Sequence, residues 1–138
     1  MIAARLVRPA LRAIALTTDT SILTASGNDF GFDTIFSRQI EALGQPGDVF
    51  LGISTSGNSK NIVQAIHQAK KQSIATIGFT GSSGGQMLSL CDYNVVIPSS
   101  TTMNIQESHL ALEHIFCMVV ERFTFGFEFD KAPQNLAE

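Results

Sequence analysis

The sequence predicts an α/β domain built on a parallel sheet. Three observations carry this. Short apolar runs without polar alternation recur at residues 49–53, 74–79 and 93–97, as strands covered on both faces require. Helix-period segments lie between them, and strand alternating with helix implies parallel strands with right-handed crossovers. Gly- and Ser-rich loops follow the first two runs, at the strand ends where such sheets bind ligands. A length of 138 residues suits one domain, and a hydrophobic content of 44% suits a packed core.

Met1–Arg12 reads as the end of a helix that turns at Arg8-Pro9, because the residue before a proline is pushed out of the helical region. Ala13–Thr17 is a short apolar run and a candidate strand. Thr18–Ser21 can cap a helix over Ile22–Ala25. Ser26–Asp29 is a turn cluster. Phe30–Leu43 reads as helix, with Phe32, Ile35, Phe36, Ile40 and Leu43 at helical spacing and Gly44 as its stop. Gln45–Gly47 is a turn.

Val49–Ile53 begins a strand–loop–helix unit. The loop places Ser54, Thr55, Ser56 and Ser59 around Gly57, and a helix starts at Lys60. Hydroxyl donors, a glycine that admits close approach and a helix N-terminus together suit a phosphate. Ser59 serves equally as a plain helix cap, and Ser/Gly/Asn loops are common after strands. In the helix, Ile62, Val63, Ala65, Ile66 and Ala69 face inward, while Lys60, His67, Lys70, Lys71 and Gln72 stay in water.

Ile74–Phe79 is the next strand, Thr80–Gly85 a second Gly/Ser loop, and Gln86–Leu90 a short helix. Tyr93–Ile97 is a further strand. A polar stretch, Ser99–Asn104, leads into a long helix over Ile105–Phe123. The loops at Asn28-Asp29, Ser54–Ser59 and Thr80–Gly85 can meet in one pocket. Phe123, Phe125, Phe127 and Phe129 alternate with other residues, which predicts an extended tail. No internal repeat is present.

The long helix carries Gln106, Glu107, His109, Glu113 and His114. Imidazole suits both proton transfer near pH 7 and metal ligation, whereas a His on a surface helix is usually only solvated. Asp29 can hold a sugar hydroxyl or form an Asx-turn. A net charge of −3 offers no general basic surface, so no nucleic acid partner is expected. No apolar run approaches the ~18 residues that span a membrane. Met1–Arg12 is interrupted by Pro9 and lacks an apolar h-region, so it does not read as a signal peptide. Cys91 and Cys117 lack metal-type spacing and read as buried thiols in a reducing, cytoplasmic setting.

The segments GNDFGF at 27–32, IFSRQIEALG at 35–44, PGDVFLGISTSGNS at 46–59, GG at 84–85 and IQESHLALEH at 105–114 resemble the phosphoheptose isomerases. These are sugar-isomerase (SIS) domain enzymes that convert sedoheptulose 7-phosphate to D-glycero-D-manno-heptose 7-phosphate. The resemblance covers about Arg8 to Arg122 and implies a flavodoxin-like, three-layer α/β/α SIS domain over 13–123. Residues 1–12 would then be the remnant of an N-terminal helix and 124–138 a tail.

The resemblance also implies roles. Asn28 and Asp29 match a sugar-contacting pair. Ser54, Thr55, Ser56 and Ser59 match a phosphate-binding loop. Gln106 and His114 match positions that contact substrate or zinc, with His114 the candidate proton donor. Eight helical residues rise ~12 Å, so Gln106 is expected to precede the regular helix if both meet one ion. A homo-oligomer, a tetramer in the family, is implied as well.

The departure is at the front. The family's first strand, its Gly-rich loop, and a helix with a His and a catalytic Glu have no match here. Two zinc-site residues, the general base and half of the phosphate cradle are therefore missing from the pattern. The expectation is an incomplete gene product, a misplaced start or a trimmed chain, with little isomerase activity and an unpaired sheet edge. Two other functions compete: binding of the bacterial replication initiator by a non-catalytic SIS protein, and sugar-phosphate sensing by an SIS regulator. His114 and the GNDFGF motif favour the enzyme.

Overall fold

A computed structural model describes residues 8–126 of the chain. They fall into two compact units, residues 14–106 and residues 8–13 with 107–126.

In residues 14–106, helix α1 (Thr20–Phe30) starts where Asp19 caps it, its Oδ1 accepting from the Ile22 N–H at 3.0 Å. The helix runs through Ser26–Asp29, which the sequence predicts as a turn cluster. Its stop is Gly31, at φ 89°, a backbone that suits glycine. That glycine also breaks the expected helix over Phe30–Leu43 into a 3-10 turn (Phe32–Thr34) and helix α2 (Ile35–Leu43). Ile35 and Ile40 are buried, whereas Phe32 and Leu43 are exposed. Gly44 ends α2 as expected.

Strand β1 (Val49–Ser54), helix α3 (Lys60–Lys71), strand β2 (Ala75–Gly81), helix α4 (Met87–Leu90) and strand β3 (Tyr93–Ile97) follow. The sheet is parallel, in the order β1-β2-β3, with Gly52 beside Gly78 and Phe79 beside Val95. The architecture is α/β, as predicted. Ala13–Thr17 forms no strand: residues 11–15 are irregular and Thr17 lies in a turn. Apolar character alone does not make a strand, and no ladder partner engages this run among the described residues.

Helix α3 buries Val63, Ala65, Ile66 and Ala69 and leaves Lys60, His67, Lys70 and Lys71 exposed, as its pattern requires. Gln72, expected in water, is half-buried and donates from Nε2 to the Gly44 carbonyl at 2.9 Å. One cluster joins Ile40, Ala65, Ala69 and Ile74, with Leu16, Phe36 and Phe50 packed against it. A second joins Ile66, Met87 and Cys91. Phe50 and Gly52 point to the α3 and α4 side of the sheet. The alternate positions Val49 and Ile53 are 58% and 41% exposed, so β1 is not covered on both faces as its apolar run suggests. It is an edge strand among the described residues.

Helix α5 (Thr102–Phe125) starts in this unit and continues into the other. In the second unit, the Nε and Nη2 of Arg8 both reach Oε1 of Glu121, at 2.7 and 2.6 Å, and the guanidinium lies 5.6 Å from the Phe125 ring centroid. Phe123 and Phe125 are helical, not extended, and the helix closes at Gly126, whose N–H donates to Arg122 at 2.8 Å. Phe127 and Phe129 lie outside the described residues, as does most of the predicted N-terminal helix remnant; residues 8–12 are irregular. Both cysteines are free, and Cys117 is exposed rather than buried.

Candidate functional site

The β1–α3 loop and the loop after β2 are tied together at the C-terminal ends of their strands. The Gly81 N–H donates to the Thr55 carbonyl at 3.0 Å and the Met87 N–H to the Gly57 carbonyl at 3.1 Å. Asn58 Oδ1 accepts from the Gln86 N–H at 3.0 Å. Gly57 is at φ 65°, and a Cβ there would strike the backbone of Gly84. A Cβ on Gly85 would lie 2.5 Å from the Ser56 carbonyl oxygen. Glycine at these positions is what lets the two loops touch.

The hydroxyls of the first loop divide into two pairs. Ser54 Oγ and Ser59 Oγ share a hydrogen bond of 2.8 Å, with Ser54 buried and Ser59 exposed at the α3 N-cap. Thr55 and Ser56 line a cleft of about 190 Å³, joined by Ser82, Ser100, Thr102 and Ile105. Ser56 Oγ also accepts from the Asn58 N–H at 3.2 Å. Helix α5 begins at Thr102, which lines the cleft, whereas α3 begins after Ser59, which is not among the lining residues. Their first amide groups have no acceptor within the helix, which favours an anion nearby.

The structure thus brings together the Ser54–Ser59 loop and the Thr80–Gly85 loop. Asn28 and Asp29 do not line the cleft. They are exposed in the last turn of α1, where Asn28 Nδ2 donates to Asp29 Oδ1 at 2.9 Å. His114 is an exposed residue of α5, whereas His109 is buried. Ser100 and Thr102, which the sequence reading does not single out, also line the cleft, and Ser99-Ser100-Thr101-Thr102 shows the same signal as Ser54–Ser59: hydroxyls just ahead of a helix.

Zinc commonly takes four protein or solvent ligands. Among the described residues, no group of three or more His, Cys, Asp or Glu is placed to hold a metal ion. Gln106 sits inside α5, which starts at Thr102, rather than ahead of the helix as a shared ion would require. The ~12 Å rise of eight helical residues therefore applies to Gln106 and His114. The described residues do not by themselves fit a zinc ion, and no step below runs through one.

Residues 3–81 match the model of the SIS domain family. The chain belongs to that family. It is 54% identical over 119 residues to the phosphoheptose isomerase of Sulfurimonas denitrificans, covering 86% of this chain and 61% of that protein. The solved phosphoheptose isomerase of Neisseria gonorrhoeae superposes with a TM-score of 0.76 at 46% identity, over 78% of this chain and 61% of the other. That of Francisella tularensis gives a TM-score of 0.81 at 41% identity, over 83% and 62%. This SIS domain chain therefore spans about three-fifths of the length of these relatives.

Proposed function

We propose that this chain is the sugar-phosphate-binding part of an isomerase that converts sedoheptulose 7-phosphate to D-glycero-D-manno-heptose 7-phosphate, a heptose precursor for lipopolysaccharide or related glycans. The observation that carries the reading is the cleft lined by Thr55 and Ser56, at the C-terminal end of β1 in the loop that leads to α3. The relatives are named phosphoheptose isomerases, which supports a heptose phosphate as the substrate class.

In such an aldose–ketose exchange a base removes the proton from the carbon next to the carbonyl, and an acid protonates the carbonyl oxygen, giving an enediol. The proton then returns to the neighbouring carbon, while the hydroxyl on the first carbon gives up its proton and becomes the new carbonyl. The Ser54–Ser59 loop would hold the phosphate, Asn28 and Asp29 the sugar hydroxyls, Gln106 the substrate, and His114 would donate the proton. A cytoplasmic homo-oligomer completes it. Exposed Leu110, Ile115 and Met118 on α5 support association, and no helix among the described residues is long and apolar enough to cross a membrane.

The test follows sedoheptulose 7-phosphate by proton NMR, with this chain and with the chain fused to the preceding segment of a relative. Heptose 7-phosphate formed by the fusion, and reduced by Ser56→Ala, supports the reading. No isomer from either protein overturns it.

A further inference from the structure

Asn58 does not line the cleft, yet both ends of its side-chain amide are engaged. Its Nδ2 donates to the Ser56 carbonyl at 3.0 Å, and its Oδ1 accepts from the Gln86 N–H at 3.0 Å, just ahead of α4. The backbone N–H of the same residue donates to Ser56 Oγ at 3.2 Å. One residue thus holds Ser56 twice, by its carbonyl and by its hydroxyl, and moors it to the loop after β2.

An asparagine in a turn ordinarily bonds only its own neighbouring backbone. Here the second loop leaves room for the amide. Gly85 is at φ 54°, and a Cβ on it would lie 2.7 Å from Asn58 Nδ2. Asn58 is exposed, so water would satisfy its amide nearly as well, and what the two protein bonds add is position more than stability. The side chain must donate at one end and accept at the other, which a short amide does. Aspartate would keep the bond from Gln86 but set a carboxylate against the Ser56 carbonyl, and alanine would lose both bonds.

The hydroxyl of Ser56 gains direction from this arrangement. A serine hydroxyl has one proton and rotates to suit its partners. Accepting from the Asn58 N–H occupies a lone pair of Oγ and leaves its proton to donate to a ligand in the cleft.

We propose that Asn58 is a positioning residue of the substrate site: it orients Ser56 toward the phosphate of the sugar without touching the ligand itself. This rests on the reading of the Thr55–Ser56 cleft as the place where that phosphate binds. The same amide carries the orientation of Ser56 to the loop that holds Gly84 and Gly85, so a shift of that loop is felt at the ligand through Asn58.

The test is calorimetric titration of the chain with sedoheptulose 7-phosphate. It compares the unmodified protein with Asn58→Ala, Ser56→Ala, the double variant, and Gly47→Ala as a destabilised control away from the cleft. Thermal melting ranks their stability. Asn58→Ala is expected to weaken binding by ~10-fold in the unmodified background and by less than ~3-fold in the Ser56→Ala background, because its effect passes through Ser56. Gly47→Ala is expected to melt earlier and to bind as the unmodified protein does. Unchanged binding by Asn58→Ala beside weakened binding by Ser56→Ala overturns the role of Asn58 and leaves the phosphate reading standing. An equal loss from Asn58→Ala in both backgrounds, or an equal loss from Gly47→Ala, also overturns it, since the effect would then be direct or merely structural. No binding by the unmodified chain, or no effect of Ser56→Ala, overturns both.

Discussion

The backbone of Gly84 occupies the space that a side chain on Gly57 would need. The two loops at the strand ends are held by this contact, since Gly57 also bonds through its N–H to Ser54 at 3.0 Å and through its carbonyl to Met87 at 3.1 Å. Gly57→Ala is therefore expected to destabilise the protein for two reasons, a positive φ and a backbone collision. Gly47 separates them: its φ is 93°, and nothing lies within 4 Å of its added Cβ. Gly47→Ala is expected to cost about 1 kcal/mol and Gly57→Ala at least ~3 kcal/mol in urea unfolding. Equal costs at the two positions would show that the loop contact contributes nothing.

Ser54 and Ser59 are bound to each other across the mouth of the loop. Removing either hydroxyl leaves the other without this partner, so Ser54→Ala and Ser59→Ala should each lose about 0.5–1.5 kcal/mol of stability. The double variant should lose less than the sum. Strict additivity in a double-mutant cycle would dismiss the pair. Together with Ser56→Ala the two changes should weaken sugar-phosphate binding by several kcal/mol, at roughly 1.5–3 kcal/mol for each charge-assisted bond.

Asp92 carries an acid-linked contribution to stability. Its Oδ2 accepts from Thr76 Oγ1 and from the Thr76 N–H, both at 2.8 Å, and its Oδ1 pairs with Lys70 at 3.1 Å. The Thr76 hydroxyl and amide, with Lys70, hold the carboxyl down from 3.8 to about 2. A pKa lowered by folding means that the unfolded chain takes up the proton first. The contribution is complete above the ordinary carboxylate range and drains away as pH falls from about 4 toward 2. Urea midpoints measured from pH 6 to pH 2 should show Asp92→Asn less stable at pH 6 and converging on the unmodified protein at pH 2. A gap that stays constant would exclude the linkage.

Ile66 is fully buried between α3 and the sheet, in the cluster with Met87 and Cys91. Ile66→Ala should cost about 2–5 kcal/mol, through lost burial and a cavity that α4 cannot fill. A chemical unfolding curve shifted by less than ~1 kcal/mol would mean that this cluster is loosely packed.

The helices and strands of the β1–β3 region were legible because each buries one face, and burial imposes a period on the sequence. Val63, Ala65, Ile66 and Ala69 announce α3 without help from the rest of the chain. Ala13–Thr17 misled because a strand depends on a partner, and pairing leaves no mark on a single run of residues. The turn signal at Ser26–Asp29 was real in composition, but Gly27 sits in a helix already committed by the Asp19 cap, and the break falls at Gly31 instead. Local chemistry alone suggests an anion loop at Ser54–Ser59. Its partners across the cleft were not legible, because Ser82 and Thr102 meet it only through the strand register and the doubly bonded Ser82 amide.

The uncharged lining of the cleft has a consequence for ionic strength. A site built on Lys or Arg competes with dissolved salt for its anion and loses affinity as screening grows. Hydroxyls and helix amides grip by direction and distance, so simple chloride is a poor rival, and tetrahedral oxyanions such as sulfate or arsenate are the effective ones. With only Thr, Ser and Ile at its walls among the described residues, an anion in this cleft would be held by direction and distance rather than by a charged side chain.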